Sequence, residues 1–273
     1  TVVDEAGNVA QLPTLELNYD ASAPCASSSS LVLAAGEAYS NSPVVSVELG
    51  CVGEAASKMR LACDGTLDSE PSEAFASQTV CALSDGNQTV VAQLLDDAGN
   101  EVNGLSDSIV IDRTAPSNPQ LSQDSELTAS AAYTIAALST ASTDTGSGID
   151  RHELLFPNIA DQCASTTDTG WCAWDGVTPM PITLEERDNS IRVRAVDNAG
   201  NISDEDIITV TVDSTAPLPP TISRLTVLGG EVLLSLDVDL DEVQEQAQIA
   251  TYRVYYGSTD ADVQDPELGA SFL

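Results

Sequence analysis

The chain has 273 residues, of which 43 are acidic and nine are basic, so its formal net charge is −34 at pH 7. Such a charge repels phosphate, which excludes nucleic acid as a partner and makes an anionic membrane surface a poor one. No apolar run approaches the roughly 20 residues of a membrane-spanning helix, so direct membrane insertion is not expected either.

Two short phrases recur along the chain at nearly constant spacing. The first is Asp-x-Ala-Gly-Asn, and the second, a few residues further on, is Asp-x-x-Ala-Pro. Their first residues are, in successive pairs, Asp4 and Asp20, Asp96 and Asp112, and Asp197 and Asp213. Both phrases shift together by 92 residues and then by 101 residues, which indicates a domain-sized repeat.

The repeat predicts two complete domains with a fragment at each end. Residues 1–21 are predicted to be the last strands of a preceding domain. Residues 22–116 and 117–217 are predicted to be complete domains, and residues 218–273 a partial domain. We therefore expect the chain to be a window of a longer exported protein.

The predicted strands are short, and turn-forming residues separate them. Val45, Val47 and Leu49, for example, alternate with polar residues, as in a half-buried strand. No segment has a long helical period, and the pattern predicts an all-β fold of tandem antiparallel β-sandwiches in an elongated array. The predicted strands are 15–19, 43–49, 58–63, 89–95, 108–111, 133–138, 190–196, 207–212, 231–236 and 252–257.

Residues 161–181 interrupt the second domain and resemble an inserted hairpin that holds Trp171 and Trp174. Packing of this hairpin on the sandwich is the favoured role of the two tryptophans, with stacking on a glycan as the alternative. In the strand that follows, Arg192 and Arg194 are predicted to point to solvent. His152, the single histidine, is predicted to be a surface or hydrogen-bonded residue.

Six cysteines occur in even numbers within each predicted domain, which indicates disulfide pairing and an oxidising compartment. They are Cys25, Cys51, Cys63 and Cys81 in the first domain, and Cys163 and Cys172 in the second. Four cysteines allow three pairings, of which the strand order favours Cys25 with Cys51 and Cys63 with Cys81. No Cys-x-x-Cys motif is present, so a zinc site is not expected.

Residues 56–65, 86–100 and 106–116, and again 192–197 and 210–213, resemble the Ig-like repeats of large bacterial cell-surface proteins. This resemblance implies that 22–116 and 117–217 are Ig-like domains and that 1–21 ends a preceding one. The Pro-rich entry after residue 217 and the Tyr-x-Val-Tyr-Tyr-Gly stretch at 252–257 resemble a fibronectin type III domain, of which 218–273 would be a part. The resemblance implies an extracellular location on a bacterial cell surface, and calcium-stiffened linkers are known in some members of this group.

Calcium is the cofactor that the acidic phrases predict. In an Ig-type sandwich the loop between the last two strands lies at the end where the chain enters. Asp96 should then face Asp20, and Asp197 should face Asp112, with Asp144 and Asp150 on a neighbouring loop. Asp213 should face the acidic loop that contains Asp237, Asp239 and Asp241. Such groups of carboxylates suit calcium, although each Asp could instead only cap its own turn.

These observations predict a non-catalytic stalk or spacer of an adhesin-type surface protein. Its expected partners are the neighbouring domains of the same long chain, together with other copies if the chain self-associates into fibres. A filament subunit and the accessory modules of a large secreted enzyme remain as alternatives. The two Asp-Thr-Gly triplets, at Asp144 and Asp168, lie in Ser/Thr-rich turns of one small domain, which argues against an aspartic protease.

Overall fold

The structure is a computed structural model that describes residues 1–11, 19–163, 166–167, 170–216, 221–228, 231–237, 254–256 and 270–272. The chain forms two compact units. The first comprises Thr1–Ser117, Ser142–Asp150 and Ala195–Ser203, and the second comprises Asn118–Ala141, Arg151–Arg194 and Asp204–Leu273.

Almost all regular structure in the described residues is β-strand. The strands of residues 1–117 are β1 (Val2–Val3), β2 (Val9–Ala10), β3 (Ser28–Leu33), β4 (Tyr39–Ser40), β5 (Val44–Val52), β6 (Lys58–Ala62), β7 (Glu73–Ala74), β8 (Gln78–Ala82), β9 (Gly86–Leu95) and β10 (Glu101–Ile111). The later strands are β11 (Gln120–Leu121), β12 (Glu126–Thr128), β13 (Ala132–Ile135), β14 (Leu138–Thr140), β15 (Ile149–Leu155), β16 (Cys172–Trp174), β17 (Met180–Thr183), β18 (Arg187–Asp197), β19 (Asp206–Val212), β20 (Thr221–Leu228), β21 (Glu231–Asp237), β22 (Val254–Tyr256) and β23 (Ala270–Phe272). The described helical pieces are a 3-10 turn at Ala34–Gly36 and helix α1 (Ile159–Gln162).

The first unit contains a complete β-sandwich. One sheet has the order β3-β5-β8, and the other has the order β4-β10-β9-β6-β7. Neighbouring strands are antiparallel except for β4, which pairs in parallel with β10. Apolar side chains from both sheets form one buried core, because alternate residues of each strand point inward. The predicted alternation is confirmed in β5, where Val45, Val47 and Leu49 are buried.

The N-terminal residues of the first unit form a small hairpin. Strands β1 and β2 pair antiparallel around the turn at residues 4–8. Gly7 adopts a φ of 83° there, a conformation that glycine tolerates without steric cost. The strand predicted at 15–19 lies almost entirely outside the described residues.

The second unit repeats the arrangement of the large sheet. Its large sheet has the order β12-β19-β18-β15-β16, with β12 parallel to β19 as β4 is to β10. Strands β11 and β14 form one pair, and β13 and β17 form another. Ile135, Leu154, Ile191, Val193 and Val210 are among its fully buried core residues. The antiparallel β-sandwich fold predicted from the sequence is therefore confirmed.

The prediction of an inserted hairpin at 161–181 was wrong, because Cys172–Trp174 and Met180–Thr183 are strands of the second sandwich. Strand β16 pairs with β15 at the edge of the large sheet, and β17 pairs with β13. Turn-forming residues are frequent around these two short strands, so the sequence pattern did not indicate them. They form through pairing with strands that are distant in the sequence. No helix in the described part of the chain is long and apolar enough to cross a membrane.

Candidate metal centre

Two groups of three carboxylates lie in the first unit. Asp20, Glu54 and Asp96 form what we call the first cluster. Asp112, Asp144 and Asp197 form the second cluster. Within each cluster one carboxylate oxygen of every residue lies within 4.8 Å of the others.

The Asp-x-Ala-Gly-Asn phrase supplies one carboxylate of each cluster through a tight turn. The backbone N–H of Asn100 donates to Asp96 Oδ1, and its side-chain Nδ2 donates to Asp96 Oδ2, both at 2.8 Å. Asn201 makes the same two bonds to Asp197, also at 2.8 Å. The hydrogen bonds from Asn100 hold the pKa of Asp96 below its ordinary value, so this carboxylate is charged at neutral pH.

The same turn forms in the exposed hairpin at the start of the chain. Asn8 donates from its backbone and its side chain to the two carboxylate oxygens of Asp4, each at 2.8 Å. Its hydrogen bonds lower the pKa of Asp4, as they do for Asp96. The turn is thus a local property of the five-residue phrase and does not depend on burial.

The Asp-x-x-Ala-Pro phrase supplies the second carboxylate through a different turn. Asp20, Asp112 and Asp213 each accept a backbone N–H from the residue two positions on, at 3.0, 3.1 and 3.1 Å. The capping of turns, which the sequence left as the alternative to metal binding, is therefore present in all three copies. A carboxylate that accepts one such bond still has lone pairs for a further donor or a cation.

Asparagine side chains join the two phrases across a long sequence separation. Asn100 Nδ2 donates to the main-chain carbonyl of Asp20 at 3.3 Å, and Asn201 Nδ2 donates to that of Asp112 at 2.8 Å. The asparagine that ends one phrase therefore holds the aspartate that begins the other. This contact places Asp96 beside Asp20, and Asp197 beside Asp112.

The third carboxylate of the first cluster, Glu54, was missed by the sequence analysis. It follows the disulfide-bonded Cys51, and its carbonyl oxygen accepts the backbone N–H of Cys25 at 2.7 Å. The Cys25–Cys51 disulfide thus closes the turn that carries Glu54. A hydrogen bond with Asp20, then burial, then the charges of Asp20 and Asp96 raise the pKa of Glu54 above its ordinary value.

The third carboxylate of the second cluster is Asp144, on the loop that the sequence predicted. Its Oδ2 accepts the backbone N–H groups of Gly146 and Gly148, at 3.0 and 2.7 Å. The same loop reaches Asp112, whose Oδ2 accepts the N–H of Ser147 at 2.7 Å. A Cβ atom on Gly146 would overlap the Asp112 carboxylate, so only glycine allows this approach.

Asp112 is a buried carboxylate that remains charged. Burial by itself raises its pKa, but the hydrogen bonds from Ser147 and Thr114 outweigh burial and lower the pKa overall. Asp112 and Asp197 are only 4% and 2% exposed, whereas Asp144 is half-buried. The second cluster is therefore more enclosed than the first, in which Asp20 is exposed.

Both clusters use the same three positions of the repeated fold. One aspartate begins an Asp-x-x-Ala-Pro phrase, and one lies in the turn between the last two strands of the sandwich that follows. The third acid precedes the strand that lies fourth in the order of the large sheet: Glu54 lies just before β6, and Asp144 just before β15. An alignment of the loop before β6 with the loop before β15 would place Glu54 at the position of Asp144, and this is how the sequence could have identified it.

The cations in the described part of the chain do not neutralise the clusters. Arg113, which directly follows Asp112, donates from Nε to Asp85 at 2.7 Å and from a second nitrogen at 3.1 Å. None of the ion pairs among the described residues involves a cluster carboxylate. Three carboxylate groups at this spacing form a hard-oxygen donor set that fits calcium, which takes six to eight oxygen ligands.

The remaining predicted ligands are not brought together in the described structure. Asp150 is exposed and lies outside the second cluster. Asp213 caps its own turn. Asp239, Asp241 and the side chain of Asp237 lie outside the described residues, so the third predicted site stays a prediction.

All six cysteines form disulfide bonds, in the pairs Cys25–Cys51, Cys63–Cys81 and Cys163–Cys172. The first-domain pairing is the one that the strand order favoured among three. These bonds indicate an oxidising environment.

The second unit contains an ion pair between a buried glutamate and an arginine that was predicted to point to solvent. Arg194 packs on the Trp171 ring at 3.9 Å from the ring centroid and forms an ion pair of 2.7 Å with Glu153, which is 1% exposed. Arg151 pairs with the other oxygen of Glu153 at 2.8 Å. The prediction that Arg194 points to solvent was wrong, because the Trp171 ring and the Glu153 carboxylate enclose its guanidinium group.

His152 is also buried, and its Nε2 has no hydrogen-bond partner. The prediction of a surface or hydrogen-bonded histidine was therefore wrong. Burial lowers its pKa, and the nearby charge of Asp175 opposes that shift in part. Trp174, which pairs with His152 across β15 and β16, is buried too and donates from Nε1 to the carbonyl of Thr178 at 2.7 Å.

These sheets define a class: a β-sandwich protein whose repeated domains have an Ig-like or fibronectin III-like strand order. No protein-family model and no curated protein matches the sequence. The fibronectin(III)-like modules of Clostridium thermocellum CbhA resemble the structure with a TM-score of 0.45 and 14% identity, over 67% of this chain and 93% of that chain. The central fibronectin-III array of RIM-binding protein has a TM-score of 0.25 and 14% identity, over 81% of this chain and 73% of that chain. The FN1–FN3 domains of chicken CNTN1 have a TM-score of 0.29 and 11% identity, over 89% of this chain and 83% of that chain.

Proposed function

We propose that this chain is a non-catalytic segment of an exported bacterial surface protein of the adhesin type. Its β-sandwich repeats act as a stalk or spacer, and disulfide bonds together with calcium ions stiffen them. The three disulfides and the repeated sandwich topology support a structural role outside the cytoplasm. The resemblance of the repeats to those of bacterial surface proteins supports the adhesin context.

The observation that carries the calcium part of the proposal is the recurrence of the cluster. Two clusters with different residues in the third position, Glu54 and Asp144, use the same three places in the fold. Acidic residues scattered by composition would not return to the same places. A bound calcium ion would tie the last residue of one sequence repeat to two loops of the following repeat.

Isothermal titration of the chelator-treated 273-residue chain with calcium chloride tests this part directly. We expect binding at both clusters, with dissociation constants of about 10⁻⁴–10⁻³ M, as in other extracellular calcium modules. Glu54→Gln should weaken only the first cluster, and Asp144→Asn only the second, each by about tenfold or more. Asp4→Asn is the matched control. Asp4 makes the same hydrogen bonds in its own Asp-x-Ala-Gly-Asn turn as Asp96 does, but it belongs to neither cluster. Unchanged binding in both cluster variants would rule out these sites.

Small-angle scattering tests the mechanical role. If calcium stiffens the repeats, the scattering profile should change when a chelator is added and recover when calcium is restored. The Asp144→Asn variant should respond less than the wild-type chain. Identical profiles with and without chelator would remove calcium from the mechanism, while leaving the sandwich repeats as a spacer stiffened by disulfides alone.

A further inference from the structure

Two stretches of the chain have the form Asn-x-Ser/Thr, which is the acceptor motif for N-linked glycosylation. They are Asn87-Gln-Thr89 and Asn201-Ile-Ser203. In each of them the side-chain amide of the asparagine is the group that would carry the sugar. Because the motif is short, the sequence alone does not select either stretch. The surroundings of the two amides in the folded chain distinguish them.

The amide of Asn201 is already used within the protein. Its Nδ2 carries two hydrogens and donates to two acceptors, the carbonyl oxygen of Asp112 and the carboxylate of Asp197, each at 2.8 Å. Ser203 is only 7% exposed, and its hydroxyl accepts the backbone N–H of Ala195 at 2.9 Å. A sugar on Asn201 would replace one of the two amide hydrogens and so remove a bond that holds the second cluster together. The folded structure therefore argues against this site.

Asn87 is exposed, and no hydrogen bond among the described residues uses its side chain. It lies near the start of β9, on which Val90, Ala92 and Leu94 point into the core. Because successive side chains of a strand point to opposite faces, Asn87 lies on the outer face of the large sheet. Thr89, two residues further on, lies on the same face and is also exposed. The amide and the hydroxyl of this motif are thus presented to solvent together.

The outer face beside Asn87 offers an apolar surface. Val110 on β10 lies opposite Asn87, and Tyr39 on β4 lies opposite Val110. Tyr39 is 37% exposed. It lies about 10 Å from Asn87, which is two strand spacings of about 4.8 Å. The apolar face of a sugar ring packs well on an aromatic side chain, so the first sugars of an attached oligosaccharide have a surface on which to lie.

The local charge also favours this position. The donor of an N-linked oligosaccharide is a lipid pyrophosphate, and a chain of net charge −34 repels such an anion over most of its surface. The residues in register beside the motif, Val110, Tyr39 and Ser108, are uncharged. The nearest acid in the sequence, Asp85, is paired with Arg113 at 2.7 Å. The approach to Asn87 is therefore less negative than most of the chain.

We propose that Asn87 is the attachment site of an N-linked oligosaccharide and that Asn201 is not. The inference rests on export of the chain, which is part of the proposed function. In the transfer, Nδ2 of Asn87 attacks the anomeric carbon of an oligosaccharide carried on a lipid pyrophosphate. The N–C bond forms as the C–O bond to the pyrophosphate breaks. The lipid pyrophosphate leaves with that electron pair, and the nitrogen loses one proton.

Mass spectrometry of the chain from the cells that produce it tests the proposal. The cells are first fractionated, so that exported and cytoplasmic material can be analysed separately. We expect the exported chain to be heavier than its sequence by one oligosaccharide. Proteolytic peptides should place this sugar on Asn87. The peptide with Asn201 should be unmodified in the same sample, which makes it an internal comparison with the same motif.

Substitutions made in the same cells test whether the motif directs the transfer. Asn87→Gln removes the acceptor amide, and Thr89→Val keeps the amide but removes the hydroxyl, so both variants should lose the added mass completely. Thr89→Ser keeps a hydroxyl and should keep the sugar. Ser108→Ala is the matched control. It removes the hydroxyl that lies 2.9 Å from that of Thr89 but leaves the motif intact, so it should be glycosylated like the wild type.

The outcomes separate this inference from the proposed function. An exported chain with an unmodified Asn87 would overturn the inference and leave the stalk or spacer role standing. A chain found only in the cytoplasm would contradict the proposed function and the inference with it. A sugar on Asn201 would also overturn the inference, because the hydrogen bonds of that amide argue against it. So would a sugar that survives in Thr89→Val, because the transfer would then not follow the motif.

Discussion

The side chain of Asn201 donates a hydrogen bond of 2.8 Å to the main-chain carbonyl oxygen of Asp112, 89 residues earlier in the chain. The same Nδ2 atom donates to the carboxylate of Asp197 at 2.8 Å. One amide group therefore holds together two of the three residues of the second cluster. Asn100 has the equivalent role in the first cluster, with a longer bond of 3.3 Å to Asp20.

Replacement of Asn201 by alanine should destabilise the first unit. The variant loses one hydrogen bond to a charged group and one to a carbonyl, which together should cost about 2–4 kcal/mol. Urea denaturation followed by far-UV circular dichroism would show a lower midpoint. Asn8→Ala is the control, because Asn8 makes the same bonds to Asp4 in an exposed hairpin but has no distant carbonyl to hold. Equal effects of the two substitutions would contradict this role of Asn201.

Gly146→Ala should disrupt the second cluster, because the new Cβ would overlap the buried Asp112 carboxylate. We expect a destabilisation of about 1–3 kcal/mol and weaker calcium binding at this cluster only. Gly50→Ala is a suitable comparison, since its Cβ would meet only the hydroxyl of Ser30, which can rotate away. Thermal unfolding and calcium titration of both variants would separate a specific effect from a general one. A Gly146→Ala protein with normal stability and calcium binding would show that the loop moves freely.

Glu153→Gln should strongly destabilise the second unit. The substitution removes the negative charge with which Arg194, whose side chain is only 12% exposed, forms an ion pair, and breaking a buried ion pair costs about 3–5 kcal/mol. Arg192→Gln, two residues earlier on the same strand, removes only a partly exposed 3.5 Å pair with Glu205 and should cost less than about 1 kcal/mol. Tryptophan fluorescence reports this region, because Trp171 packs on Arg194. The reverse order of the two effects would contradict the buried pair.

His152 should make the second unit sensitive to mild acid. Its pKa in the folded protein is lowered by burial, so the unfolded chain binds more protons near the ordinary value of about 6.5. Stability is therefore complete above about pH 6.5 and falls as the pH decreases through the lowered pKa. The melting temperature of His152→Leu, followed by tryptophan fluorescence, should depend less on pH between about 5 and 7 than that of the wild type. Because the chain has one histidine, equal pH profiles would assign the sensitivity to carboxyl groups.

The strands that the sequence predicted best are those with regular alternation and strong turn residues at their ends. β5 and β18 were found this way, because period-two burial is visible in the order of residues alone. Strands β16 and β17 were missed, because they are short and exist through pairing with distant partners. Arg194 was assigned to solvent for a similar reason. Alternation shows which face of its strand a side chain occupies, but it does not show that Trp171 and Glu153 come from elsewhere to cover that face.

The amino-acid sequence by itself determined the repeat, the all-β class, the oxidising environment and the pairs of aspartates that lie together, because each of these follows from local turns and from the order of strands. The repeated Asp-x-Ala-Gly-Asn turn forms even in an exposed hairpin, which is why its geometry could be anticipated. Only the tertiary structure decided that Glu54 joins Asp20 and Asp96, and that Trp171 and Glu153 enclose Arg194. Those features depend on contacts between residues far apart in the chain, and such contacts arise only when the sheets pair and pack.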